Sequence, residues 1–100
     1  MSKRVIHTNK APAAIGAYSQ GIVSEGHLFT SGQIGLIPET GELAAGLEAQ
    51  TEQVFANLEA ICEAAGTSLK AAVKMTIFLK DINDFAVVND CLLYTSDAAD

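Results

Sequence analysis

Basic residues are scarce in this chain. Six lysines and arginines stand against twelve acidic residues, a net charge of −6 over 100 residues, and Arg4 is the single arginine. Lys3, Arg4, Lys10, Lys70, Lys74 and Lys80 form no dense run, so the electrostatic footprint that nucleic acid requires is missing. No apolar run approaches the roughly eighteen residues of a membrane span, and Met1-Ser2-Lys3-Arg4 leads into no secretory h-region. A cytoplasmic protein is expected. Two cysteines, Cys62 and Cys91, make no disulfide scaffold, which fits a reducing compartment. With His7 and His27 they are too dispersed for a zinc ligand set. No Walker pattern or G-x-G-x-x-G run cradles a phosphate, so neither metal nor organic cofactor is expected. Gly16-Ala17-Tyr18-Ser19-Gln20-Gly21 fails as a nucleophile elbow: Gly16 lies too far before Ser19, and no helix pattern follows. A Ser-His-acid relay through Ser31 has only the turn residue His27 to build on.

Apolar residues, by contrast, make up 49% of the chain, enough for one small domain with a modest core that self-association would supplement. The most informative run is Leu28-Phe29-Thr30-Ser31-Gly32-Gln33-Ile34-Gly35, which places hydroxyl, amide and glycine where a strand should be apolar. A strand edge that faces a ligand reads this way.

Arg4 to Ile6 is expected to form a short strand, and Thr8 to Ser19, with Pro12 and Gly16, a surface loop. Gly21 to Glu25 and Leu28 to Ile34 are expected to pair as a hairpin turning at Gly26-His27. Ile37-Pro38-Glu39-Thr40-Gly41 reads as a turn. From Gly46 to Ala65, Leu47, Val54, Leu58, Ile61, Cys62 and Ala65 recur at helical spacing, with Glu48, Glu52, Glu59 and Glu63 opposite and Gly66 as the stop. Cys62 is thereby a core residue. Ser68 is placed to cap a turn over Leu69 to Ala72. Val73 to Lys80 alternates as a half-buried strand, and Asp81 to Asp84 is cap chemistry before a helix starting at Phe85. The order β, ββ, α, β, α predicts an α+β fold with helices on one face of a sheet, and a closing strand is expected after the second helix.

The text changes after Asp90. Cys91-Leu92-Leu93-Tyr94-Thr95-Ser96-Asp97-Ala98-Ala99-Asp100 resembles a translated sequencing adaptor, which TGT CTC TTA TAC ACA TCT GAC GCT GCC GAC encodes residue for residue. Residues 91–100 are therefore expected to be a non-native tail on an incomplete single domain, residues 1–90, whose C-terminal strand or strands are missing. Without Asp97 and Asp100 the net charge is −4, and the argument against nucleic acid stands.

The segments Pro12 to Gly21, Thr30 to Ile34, Gln53 to Gly66, Val73 to Asp81 and Asp84 to Asn89 together resemble, in register, the Rid family, also called YjgF/RidA. The resemblance implies a fold like that of chorismate mutase: a mixed sheet with two helices on one face, assembled as a homotrimer with clefts between subunits. It implies a hydrolase that converts reactive 2-imino acids such as 2-iminopropanoate and 2-iminobutanoate, derived from 2-aminoacrylate-type enamines, to 2-oxo acids and ammonia without a cofactor. On that resemblance Tyr18 lines the cleft, Ser31 and Gly32 form its floor, Asn89 contributes from the second helix, and Gln33 has a structural role first. The family's carboxylate-binding arginine and water-positioning carboxylate belong to later motifs that do not occur here, and Arg4 does not match the arginine's position. Imine deamination is thus expected of the intact parent and little or none of the 100-residue chain. The alternatives are a non-catalytic small-ligand-binding or chaperone-like oligomer and, least favoured by the net acidity, a ribonuclease or translation inhibitor.

Overall fold

The computed structural model describes residues 3–92; the expected tail beyond Leu92 lies outside the described residues. Three short strands, β1 (Lys3–Ile6), β2 (Gly21–Ser24) and β3 (His27–Thr30), form an antiparallel sheet in the order β1-β2-β3. Their register puts Ile6, Gly21, Val23 and Leu28 on one face and Val5, Ile22 and Phe29 in a row across the other. The first face is covered by α1 (Leu47–Ala64), where Ile6, Ala11, Ala60 and Ile61 form a core that Val23, Leu28 and Ala65 flank. The second face is open, with Val5 63% and Phe29 64% exposed.

The hairpin turns one residue earlier than the sequence suggests. Ser24 pairs with His27, so Glu25 and Gly26 are the turn residues, with φ of 51° and 80°. Both central positions of such a tight turn take positive φ, because that twist matches the flanking strands. Gly26 does so freely; Glu25 carries a Cβ into the left-handed region, which costs about 1 kcal/mol. Glu25→Asn is therefore expected to stabilise the fold by roughly 0.5–1 kcal/mol in urea melts. β3 also ends at Thr30 and does not run on to Ile34.

Helix α1 starts at Gly46 without a side-chain cap and stops at the expected glycine. Gly66, at φ 88°, lets its own N–H reach the Glu63 carbonyl (3.0 Å) and the Thr67 N–H reach the Cys62 carbonyl (2.9 Å), which satisfies the last turn. The buried stripe differs in part from the expected one: Thr51, Phe55 and Asn57 join Ala60, Ile61 and Cys62 in the interior, whereas Leu47 is exposed at the helix start. Glu59, expected on the solvent side, is half-buried and accepts a hydrogen bond from the Leu69 backbone N–H (3.1 Å).

A 3-10 turn at Leu69–Ala71 follows, with Ser68 Oγ accepting from the Lys70 N–H at 3.2 Å, and a second at Ile82–Asp84 is capped by Asp81 Oδ1 on the Asn83 N–H at 2.9 Å. It leads into α2 (Phe85–Leu92). Phe55, Cys62, Leu69 and Val88 make the second core cluster, which packs α2 on α1 with Leu28, Leu58, Met75, Leu79 and Cys91 around it. The helix thus continues through Cys91 and Leu92, two residues into the segment expected to be foreign.

Val73 to Lys80 departs most from expectation. Its alternation survives only in part, with Met75 and Leu79 turned inward and Phe78 outward but Val73 and Ile77 of the same expected face exposed, and it joins no ladder among the described residues. A strand exists only through a neighbour that takes its N–H and C=O groups, and no described segment lies in register beside it. The sheet is accordingly antiparallel throughout, and the pairing that would make it mixed is not formed among the described residues. The α+β class and the two packed helices stand.

Candidate active site

Where β3 ends, the chain is held by hydrogen bonds from polar side chains. Ser31 lies opposite Gln20, just before β2, and its N–H donates to the Gln20 carbonyl at 3.0 Å. The Ser31 hydroxyl donates to the same carbonyl at 3.3 Å, and Gln33 Nε2 donates to Ser31 Oγ at 3.3 Å. Gln33, expected to be structural first, therefore touches the hydroxyl of the predicted floor residue. Beside it Gly32 borders open space, because a Cβ built there would meet no heavy atom within 4 Å. Gly32→Ala is expected to change stability by less than about 0.5 kcal/mol while narrowing that space, so ligand binding should fall with the melt unchanged.

The loop from Thr8 to Ser19 is fixed by one buried amide that sequence reasoning passed over. Gln20 Oε1 accepts from the Thr8 N–H at 2.7 Å, and its Nε2 serves the carbonyls of Thr8 (3.0 Å), Ala11 (3.2 Å) and Pro12 (2.8 Å). Four loop polar groups converge on one side chain that is 2% exposed, its two amide protons shared among three carbonyls. The local signal was only its place after Tyr18-Ser19, which carries no mark of burial.

Tyr18 rides on this loop, 52% exposed, with its ring against Gly16 and its hydroxyl accepting from the Ile15 N–H at 3.4 Å. Asn89 is half-buried on α2. Among the described residues, hydrogen bonds join Ser31 to Gln20 and Gln33, and none joins it to Tyr18 or Asn89.

A second buried amide anchors the far side of the run. Asn57, fully buried on α1, donates from Nδ2 to the carbonyls of Ile34 (3.2 Å) and Leu36 (2.9 Å) and accepts from Gln53 Nε2 (2.9 Å). Gly35 between them lies so near α1 that a Cβ there would stand 2.8 Å from Gln50 Cα. The glycine is needed for that close approach. Ser31 to Leu36 is thus clamped at one end by Gln20 and at the other by Asn57.

The arginine and the thiols are engaged elsewhere. Arg4 reaches the Ala65 carbonyl at the end of α1 (3.4 Å). Burial, and then the Glu59 and Glu63 carboxylates, push the Cys62 thiol up; burial followed by Glu52, Glu48 and Asp90 does the same for Cys91. Neither is a poised thiolate.

The family model described as endoribonuclease L-PSP matches residues 8–99. The chain belongs to that family, the Rid family of the sequence resemblance. A RutC family protein of Pyrococcus abyssi is 50% identical over 91 residues, which are 90% of this chain and 72% of the relative. A protein of Escherichia coli K12 named "Putative reactive intermediate deaminase TdcF" is 46% identical over 88 residues, 88% of this chain and 68% of its own length. Among solved structures, RidA from an Antarctic Psychrobacter superposes with a TM-score of 0.89 at 50% identity, covering 92% of this chain and 75% of that one. E. coli TdcF with bound serine gives a TM-score of 0.88 at 44% identity, over 94% and 75%. The Rid fold is therefore shared by described elements that include the clamped Ser31 run, and no helix among the described residues is long and apolar enough to cross a membrane.

Proposed function

We propose that this Rid domain carries one wall of a cleft in which 2-imino acids such as 2-iminopropanoate and 2-iminobutanoate are hydrolysed to 2-oxo acids and ammonia. The observation that carries the reading is the Ser31-Gly32 floor: a hydroxyl held between Gln20 and Gln33 beside open space, on a backbone fixed from both ends. A relative named as a reactive intermediate deaminase, also crystallised with bound serine, supports a small ligand with nitrogen next to a carboxylate. In hydrolysis, water adds to the imine carbon, the carbon–nitrogen bond breaks, and nitrogen leaves as ammonia. The wall orients the reacting carbon, with Tyr18 as an apolar side bearing a hydroxyl tip and Asn89 approaching from a helix.

Self-association into a homotrimer belongs to the same reading, and the open row of Val5, Ile22 and Phe29 supports it. The group that binds the carboxylate lies outside this wall, since the one arginine is engaged at the end of α1. The net charge of −6 disfavours the RNA cleavage in the family's description. The test is a coupled assay of 2-oxo acid release from freshly generated 2-aminoacrylate. The 100-residue chain is expected to add little to the spontaneous rate, and the intact protein that completes the cleft to accelerate release. An intact protein that binds small amino acids without accelerating release would favour the non-catalytic binding oligomer.

A further inference from the structure

The Ser31 hydroxyl has a defined polarity. A carbonyl oxygen can only accept, so the bond from Ser31 Oγ to the Gln20 carbonyl commits the single hydroxyl proton. With that proton fixed, Gln33 must present its NH2 group and not its oxygen, and it occupies one of the two lone pairs of Oγ. The Ser31 N–H is committed to the Gln20 carbonyl as well, which then holds two donors and has no lone pair left. What remains at Ser31 is one acceptor lone pair on a half-buried oxygen, next to the open space at Gly32.

We propose that Ser31 is an acceptor-only group of the cleft, held so by Gln20 and Gln33 as positioning residues, and that it selects ligands bringing an N–H next to their carboxylate over the corresponding 2-oxo acids. This rests on the imine-cleft reading above and adds a direction to it. The substrate's imine N–H meets a lone pair. The product's carbonyl oxygen meets the same lone pair and is repelled, so the wall that holds the substrate releases the product. The Gln20 carbonyl opposes the alternative: turning the hydroxyl proton toward the ligand would set an Oγ lone pair against that carbonyl oxygen, and turning it toward Gln33 would bring O–H against N–H.

The probes are L-alanine and pyruvate, which share a carbon skeleton and a carboxylate and differ in offering N–H groups or a carbonyl oxygen beside it. Dissociation constants come from the shifts of the Ser31 and Gly32 amide signals as each is titrated into the intact protein that completes the cleft. Alanine is expected to bind about five- to tenfold more tightly, the worth of one such hydrogen bond. The net negative charge also favours an ammonium group, but that contribution survives in Ser31→Ala, so the change on substitution isolates the hydroxyl. Ser31→Ala is expected to lower the ratio at least fivefold and Ser31→Thr to retain it, and Gln33→Leu to retain most of it because the Gln20 carbonyl still holds the hydroxyl proton. If both probes shift these amides and the ratio is the same in Ser31→Ala, the polarity proposal is overturned while the cleft reading stands. If neither probe moves the amides of Ser31 to Gln33 at tens of millimolar, both are overturned.

Discussion

Asn57→Leu is expected to destabilise the domain by about 2–4 kcal/mol, a large part of the roughly 5–15 kcal/mol a domain of this size holds. Leucine keeps the number and branching of asparagine's side-chain heavy atoms and is the larger of the two, so the loss does not come from a cavity. The cause is polar: the Leu36 carbonyl loses its 2.9 Å donor, the Ile34 carbonyl loses one of two, and the Gln53 amide loses its acceptor, all around a side chain that is itself fully buried. A buried acceptor left without a donor costs about 1–3 kcal/mol. The urea midpoint should fall by about 1 M or more at unchanged slope. Gln53→Ala, which removes only the half-buried partner, should cost less than about 1 kcal/mol. Equal small losses for both would mean that Asn57 is not the clamp.

Phe29→Asp is expected to abolish self-association while leaving the fold intact. Phe29 sits in the centre of β3 on the face away from α1, directly opposite Ile22, which is in turn opposite Val5. Within one chain it packs against little, its nearest ring being His27 at a centroid distance of 6.4 Å, so its replacement costs the monomer about 1 kcal/mol or less. In an assembly that covers this face, each copy loses about 2–3 kcal/mol of apolar burial and must also desolvate a carboxylate. Dissociation constants should rise at least about a hundredfold. Sedimentation velocity gives the answer: the wild-type chain should run as an oligomer and Phe29→Asp as a monomer with an unchanged far-ultraviolet spectrum. Identical sedimentation would place any interface elsewhere.

The features legible from the sequence are those that a few neighbouring residues decide. Gly66 ending α1, Ser68 and Asp81 capping their 3-10 turns, and the Ile37–Gly41 turn each depend on a side chain or φ preference within one turn of backbone. Cys62 as a core residue follows from helical spacing. The features that were not legible depend on partners distant in the chain. Asn57 and Gln20 look like surface amides; they are buried because the carbonyls of Ile34 and Leu36, and of Thr8, Ala11 and Pro12, converge on them. Val73 to Lys80 shows two faces in only part of its alternation, and its ladder requires a neighbouring strand that no local pattern supplies. The hairpin was misplaced by one residue because a propensity argument puts glycine first in a turn and resists glutamate at positive φ. In the site, Ser31 and Gly32 were legible through family resemblance, whereas the polarity that Gln20 and Gln33 impose on the hydroxyl emerged only with the hydrogen bonds in place.

The central claim, that the Ser31-Gly32 run is the floor of a cleft for small nitrogen-bearing carboxylates, is tested most directly by mapping L-serine onto the backbone amides of the intact protein that completes the cleft. The account predicts concentration-dependent shifts centred on Ser31, Gly32 and Gln33 and extending to the Tyr18 loop. Shifts confined to the acidic face of α1 around Glu48 and Glu52, with Ser31 to Gln33 unmoved at saturation, would contradict it.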